Sequence, residues 1–199
     1  MARNVYFSFH YQDVIDFRAN VVRMSYKFRK KGVVFRDSSI WEEAQEKGVK
    51  KIKGLINAEL KGSGVTCVLI GDETYSRRWV RYEIVKSFVD RKGQVGVGIN
   101  WIKGKNGKKK FWPGGNPFDY LKLQVSRDGT TIYFFELDED KWVKYKDLPS
   151  TPNKNHVSER YFGRQRSFSK LYETYSYDWD NGKKELVNWI ETAATDAGR

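Results

Sequence analysis

Four times in its first hundred residues the chain sets a short apolar run before a stretch of helical spacing, and that alternation constrains the fold more than any other feature. Val5-Tyr6-Phe7-Ser8-Phe9 reads as a buried strand of aromatic and β-branched residues. Asp13 then caps a helical pattern from Val14 to Arg29, apolar at Val14, Phe17, Val21 and Met24 and basic at its end, with Gly32 as its stop. Val33-Val34-Phe35 is a second short strand, leading into the polar loop Arg36-Asp37-Ser38-Ser39. A helical region from Ile40 to Leu60 has a break at Gly48. Val65 to Ile70 is the third strand, a helix around Trp79 runs to about Arg91, and Val95 to Trp101 is the fourth strand. Strands alternating with helices in this way predict a mostly parallel sheet with helices on both faces.

After about Pro117 the pattern changes. Asn116-Pro117-Phe118-Asp119-Tyr120 reads as a turn opening a short helix. Thr130 to Leu137 is a strand, with Lys141 to Tyr145 as its hairpin partner across Asp138-Glu139-Asp140. Leu148 to Lys170 is irregular, and Lys183 to Ala194 is a closing amphipathic helix. There is no internal repeat and no flexible linker long enough to separate domains. The expectation is one α/β domain over residues 1–199, with a core of about 1–125 and an elaborated C-terminal third of about 126–199.

Composition narrows the partners. The formal net charge is +12, yet the first hundred residues carry 19 basic and 11 acidic side chains and the rest 18 and 14, so the charge is spread. Only Lys103 to Lys110 forms a basic cluster, readable as a solvated loop or as a docking patch for an anionic ligand. Nucleic-acid binding is therefore the weakest class. The one cysteine, Cys67, sits in an apolar run as a packed small hydrophobe, and with His10 and His156 it cannot make a conventional zinc site. The N-terminus lacks the long apolar region of a signal peptide, and no stretch has the length of a membrane span. A cytoplasmic protein is expected, with no metal.

Familiar catalytic motifs are absent. There is no phosphate-binding GxxxxGK[ST], Gly96-Val97-Gly98 meets Trp101 where a Rossmann fingerprint needs its third glycine, and no nucleophile elbow occurs. What carries chemistry is Trp79-Val80-Arg81-Tyr82-Glu83. Val80, Ile84 and Phe88 make a buried stripe, and Trp79 and Glu83, four apart, lie one above the other on its flank. The pattern reads either as a carboxylate held beside an indole at a semi-buried edge or as an amphipathic helix with an exposed glutamate. In flavodoxin-like sheets ligands bind at the carboxyl ends of the strands, between the first and the third. That order would set Ser8, His10 and Tyr11 across a crevice from Trp79 and Glu83.

The stretch YFSFHYQD, with Ser8-Phe9 closing a strand and Asp13 opening a helix, resembles the first box of TIR domains. WVRYE matches the Trp-x-x-x-Glu pattern whose glutamate is catalytic in NAD-cleaving TIR enzymes. Together with TCVLIG and NPFDYL, these blocks resemble the TIR-like ThsB family of bacterial Thoeris anti-phage systems, from Val5 to Tyr120 and more weakly through Tyr145-Lys146-Asp147-Leu148. The resemblance implies a flavodoxin-like fold and NAD as substrate rather than cofactor. It implies release of nicotinamide and formation of a cyclic ADP-ribose isomer, a diffusible signal for a sirtuin-like NAD-depleting effector, ThsA. It makes Glu83 catalytic. Trp79 would buttress Glu83 or line the ribose pocket, Phe9 and Tyr11 would stack on nicotinamide or adenine, and Ser8, His10 and Asp37 would contact substrate. The loop Arg36-Asp37-Ser38-Ser39-Ile40-Trp41 lacks the Pro-Gly of many TIR loops at that place, which leaves self-association through it open. The alternative from another class is a TIR-like scaffold that works by protein contacts without turnover.

Overall fold

The computed structural model describes residues 4–29, 48–110, 114–154 and 156–199. The expected strand Val33–Phe35, the loop with Asp37 and the helical stretch 40–47 lie outside these. β1 (Val5–Ser8), β2 (Val65–Ile70), β3 (Gly93–Gly98) and β9 (Thr174–Ser176) form a parallel sheet in that order. Every residue of β1 and β2 is buried, because helices cover both faces.

One face is closed by α2 (Arg18–Arg29) and α5 (Gly182–Asp196). Val5, Phe7, Cys67, Leu69, Val95 and Val97 meet Val22, Tyr26, Leu186 and Ile190 there. The other face carries α3 (Val49–Leu60) and α4 (Arg78–Val89), and beyond α4 a second, antiparallel sheet. Val80, Ile84 and Phe88 of α4 are the predicted stripe, and all three are buried, packed with Phe118, Leu123, Phe134 and Phe168. The architecture is the expected flavodoxin-like, TIR-like α/β fold.

Several local expectations need correction. The single helix Val14–Arg29 is two: α1 (Tyr11–Ile15) ends at Asp16, and Phe17 takes a left-handed φ of 68° before α2 begins. That conformation cannot continue a helix. Asp13 is not a cap; His10 holds the N-cap position of α1, and Asp13 is buried inside it. α3 begins after Gly48, whose φ of 80° marks the break foreseen there. The fourth strand is shifted to Gly93–Gly98, where Gly93 admits α5: a Cβ would come 2.3 Å from the Ala193 carbonyl oxygen.

In the C-terminal third the hairpin stands where expected. β5 (Thr131–Asp138) pairs with β6 (Lys141–Lys144), and Glu139 and Asp140 supply the two positive φ angles that a tight two-residue turn needs. Sequence reading missed β4 (Leu121–Val125), which anchors this sheet between β5 and β8 (Gln165–Ser167), and the short β7 (Thr151–Pro152). It also missed β9, the strand by which the C-terminal third returns to the parallel sheet. The basic loop is tied inward: Arg18 donates to the carbonyls of Ile102 and Lys108, and Lys109 and Lys110 pair with Asp178 and Asp72. No helix among the described residues is long and apolar enough to cross a membrane.

Candidate active site

β1 sorts its side chains by the two-residue period of a strand. Phe7 and Phe9 face the α2–α5 core, whereas Tyr6 packs with Ile52, Ile56 and Leu60 of α3 and with Tyr82 of α4. Ser8 shares the face of Tyr6. Glu83 reaches the same face from the middle of α4, and the three side chains meet. Tyr6 Oη donates to Glu83 Oε1 at 2.6 Å and Ser8 Oγ donates to Glu83 Oε2 at 2.5 Å.

Glu83 is 2 % exposed, deeper than the semi-buried edge expected of it, because α3 covers that flank of α4. Burial raises its pKa from the ordinary carboxyl value to about 7, and the hydrogen bonds from Ser8 and Tyr6 act the other way. Burial together with the neighbouring Glu83 pushes the Tyr6 hydroxyl well up, so it stays a donor at any physiological pH. Each carboxyl oxygen thus has one neutral donor.

The other predicted residues divide. Trp79 is half-buried, set edge-on to Tyr82 with ring centroids 6.1 Å apart, and Arg78 lies 4.8 Å over its ring. It belongs to the apolar cluster that includes Tyr6, so it roofs the hydrogen-bonded group from the α4 side. His10 and Tyr11 are half-buried at the carboxyl end of β1. Burial, and then the Arg77 charge, lower the His10 pKa, which leaves the ring neutral at pH 7. Phe9 is not available for stacking on a ligand in this structure: it is 3 % exposed in the core on the opposite face, with Arg23 5.3 Å over its ring. Asp37 lies outside the described residues.

A second carboxyl lies at the same end of the sheet. Asp13 is fully buried with its carboxyl against Gly71, the residue after β2, where a Cβ would sit 2.2 Å from Asp13 Oδ2. Neither oxygen has a hydrogen-bond partner among the described residues, and Lys110 Nζ stands 4.0 Å away. Lys110 is shared with Asp72 at 2.6 Å and Asp16 at 3.5 Å. Burial raises the Asp13 pKa to about 6 against the opposing pull of Lys110.

A cavity of about 250 Å³ opens between the carboxyl ends of β2, β3 and β9, lined by Asn100, Trp101, Gly114 and Asn116 among others. A larger one, of about 410 Å³, lies at the amino edge of β3. Glu83 lines neither of these two cavities and, at 2 % exposure, is buried between β1 and α4 among the described residues. Chemically, the Glu83 group can present negative charge wherever a cation displaces its proton, and it has two hydroxyls beside it.

Comparison with known proteins decides the relationship. The family described as Thoeris protein ThsB, TIR-like domain, matches residues 6–103. A Bacillus cereus (strain MSX-D12) protein named "Putative cyclic ADP-D-ribose synthase ThsB1" is 43% identical over 192 residues, covering 96% of this chain and 100% of that one. The chain belongs to the ThsB family. The ThsB match takes in Tyr6, Ser8, Asp13 and Glu83 and ends at Lys103, before the second sheet begins at Leu121.

Two buried polar residues at this end of the sheet, Tyr6 on Glu83 and Asp13 against Gly71, were missed from sequence. Tyr6 carried a usable signal, since residues two apart on a strand share a face, and Ser8 was already placed there. Asp13 carried none, because a carboxylate at the start of a helix reads first as a cap.

Proposed function

We propose that this chain cleaves nicotinamide from NAD and joins the remaining ADP-ribose into a cyclic molecule, with Glu83 as its catalytic residue. The observation that carries the proposal is the Glu83 carboxyl, buried in the Trp-x-x-x-Glu helix and bridged to β1 by Tyr6 and Ser8. The relative named a cyclic ADP-D-ribose synthase supports the reaction. NAD is the substrate, and no separate cofactor is involved.

The chemistry needs only one carboxyl. Nicotinamide leaves from a pyridinium, so the breaking C1′–N bond gives its electron pair to nitrogen and a neutral molecule departs without a proton. Glycosidases acting on neutral leaving groups need a second carboxyl for that proton. What remains is a ribose cation, which requires negative charge beside it. A carboxyl with a pKa of about 7 ionises readily when a cation arrives, because opposite charge favours the charged form. In this reading NAD enters between β1 and the Trp79–Tyr82 roof, and its ribose hydroxyls replace Tyr6 and Ser8 on Glu83. Ser8 and His10 then contact ribose or phosphate, Trp79 and Tyr11 flank the rings, and Asp37 contacts substrate from its loop. Ring closure follows when a nucleophilic atom of the adenosine end takes the ribose C1′ in place of water. Residues 1–199 act as one unit, which β9 and α5 support by completing the parallel sheet from the C-terminal third. The product activates a sirtuin-like ThsA effector as a diffusible signal in the cytoplasm.

The test is a mass-resolved assay of nucleotides from phage-infected cells expressing wild type or Glu83→Gln. A species of cyclic ADP-ribose mass with wild type alone is expected. Its equal presence with Glu83→Gln would remove Glu83 from the mechanism. Its absence from both, with folded protein in infected cells, would favour the scaffold reading.

A further inference from the structure

A carboxyl that acts on NAD has to meet it, yet Glu83 is 2 % exposed and a protein hydroxyl holds each of its oxygens. One of the layers around it must therefore move. β1 is buried and paired with β2 along its whole length. α4 buries seven of its twelve residues, and Arg81 ties it to β5 by donating to the Glu136 carboxylate and the Leu137 carbonyl, each at 3.1 Å. α3, also twelve residues long, buries only Ile52, Ile56 and Leu60. Apolar burial is what holds a surface helix in place, so α3 is the layer most easily displaced.

What ties α3 down comes from the C-terminal third. Lys53 Nζ, on α3, donates to the Asp147 carbonyl at 2.5 Å and lies 3.0 Å from Asp147 Oδ1. Arg78, the first residue of α4, takes the same carboxylate with both prongs of its guanidinium: Nε to Oδ2 at 2.8 Å and Nη2 to Oδ1 at 2.6 Å. The Asp147 side chain is 10 % exposed between these two cations. Hydrogen bonds from Arg78 hold its pKa below the ordinary carboxyl value, so it stays ionised at neutral pH. Its segment follows β6 and is anchored by the Tyr145 N–H on the Phe134 carbonyl at 2.9 Å. Leu148, the next residue, packs against the clusters of both Phe134 and Tyr82. Both cations also reach the roof of the Glu83 group, Arg78 4.8 Å over the Trp79 ring and Lys53 5.4 Å over the Tyr82 ring. A bidentate arginine contact is directional and stronger than a lone exposed ion pair. One carboxylate thus joins α3 to α4 across that roof.

We propose that Asp147 is a clamp that holds α3 closed over Glu83, and that NAD is admitted when its hold on Lys53 and Arg78 is released. The inference rests on Glu83 being the carboxyl that works on NAD. Asp147 is a positioning residue: it makes no contact with Glu83 and acts through the two cations. Without its charge, α3 keeps its apolar contacts and the Tyr82 hydroxyl on Asn57 Oδ1 at 3.1 Å, and the open population rises by the factor the clamp contributed. The C-terminal third then governs access to a carboxyl that lies in the N-terminal part of the chain.

The test follows amide hydrogen exchange of the whole chain by mass spectrometry, beside nicotinamide release, in wild type, Asp147→Asn and Lys53→Gln. Exchange over α3 should quicken about tenfold in both variants, while β2 keeps its wild-type protection. Nicotinamide release without phage infection should rise above wild type by a similar factor, an effect that mere loss of stability would not produce. Lys53→Gln opens the clamp from its other end and remains decisive if Asp147→Asn does not fold. Unchanged exchange over α3, or an equal rise in β2, would overturn the proposal. So would quicker exchange over α3 with release no higher than that of an active wild type. Failure of the underlying reading looks different. Release that survives in Asp147→Asn combined with Glu83→Gln, or no release from any chain in infected cells, would remove Glu83 from the reaction. Exchange over α3 would still decide whether Asp147 holds that helix down.

Discussion

Two buried carboxyls flank the carboxyl end of β1, and the fold treats them in opposite ways. Glu83 receives two neutral hydroxyls, from Tyr6 and Ser8; Asp13 receives no hydrogen bond among the described residues and has the Lys110 ammonium 4.0 Å away. Both are pushed up in pKa by burial, Glu83 to about 7 and Asp13 to about 6. The difference lies in what holds them. Hydrogen bonds from Tyr6 and Ser8 fix both oxygens of Glu83 in direction, which a charge at a distance does not do. A raised pKa therefore does not by itself mark a catalytic carboxyl; directional donors on the face shared by β1 and α4 separate Glu83 from Asp13.

The largest expected effect follows from that distinction. Glu83→Gln keeps shape and two polar atoms but removes the charge that, in the proposed mechanism, faces the ribose cation. Turnover of NAD should fall by about a hundredfold to a thousandfold, the usual range for a lost electrostatic contact to a transition state. Asp13→Asn, with the same change of charge, should alter turnover by less than about tenfold, since it makes no directional contact to the reacting group. Initial-rate assays of nicotinamide release on both variants decide the comparison, and equal losses would break it.

Stability against pH separates the same two groups. A carboxyl whose pKa is raised on folding is favoured protonated, so its contribution is complete below the unfolded value and is lost as pH rises through the folded one. For Glu83 that window runs from its ordinary value of 4.5 to about 7, and the loss across it is on the order of 3 kcal/mol. For Asp13 the window is 3.8 to about 6. His10 and His156, both lowered by burial, act with the opposite sign near their ordinary value of 6.5. The informative quantity is therefore each variant's difference from wild type in denaturant unfolding. Glu83→Gln should gain on wild type as pH rises to above 7, whereas Asp13→Asn should complete its gain by about 6. Coincident windows would mean that the two carboxyls titrate as one coupled pair.

Gly71→Ala sharpens the Asp13 half. A Cβ 2.2 Å from Oδ2 cannot be accommodated without moving a packed carboxyl, so a loss of about 1–3 kcal/mol is expected. In an Asp13→Ala background the clash disappears and Gly71→Ala should be nearly neutral. Thermal unfolding of the two single variants and the double variant measures the coupling.

Legibility followed the strength of periodicity. The stripe Val80, Ile84 and Phe88 and the run Val65 to Ile70 were readable because their side chains are sorted by burial in the native state. The break at Phe17 was not, since Phe17 keeps the helical spacing of its neighbours while its backbone turns left-handed. β9 was hidden for a related reason: three residues, Thr174 to Ser176, are too few to show a period, and their pairing with β3 is decided by a segment far away in sequence. At the site, Glu83 and Ser8 could be named from a motif and a strand end. Phe9 was misjudged because the strand's alternation was not carried one residue further: if Ser8 faces α4, Phe9 faces α2. The burial of Asp13 depended on Gly71 and Lys110, contacts across 58 and 97 positions of sequence that no local pattern encodes.

The smallest effect expected of these concerns the donors themselves. Tyr6→Phe removes one hydroxyl from Glu83 Oε1 and leaves the ring in the cluster with Ile52, Ile56 and Leu60. One net hydrogen bond is worth about 1 kcal/mol, so stability should drop by roughly that amount. Because the bond favours the ionised carboxyl, its loss should also move the Glu83 pKa further up. A pH–rate profile for nicotinamide release should then shift its acid limb to higher pH, with a modest fall in kcat near neutrality. Ser8→Ala should do the same through Oε2, and by more, since Ser8 is the stronger of the two opposing influences on this carboxyl. A purely structural role for Tyr6 would lower the unfolding midpoint and leave the acid limb in place. A displaced limb in both variants would tie the two hydroxyls to the carboxyl that works on substrate.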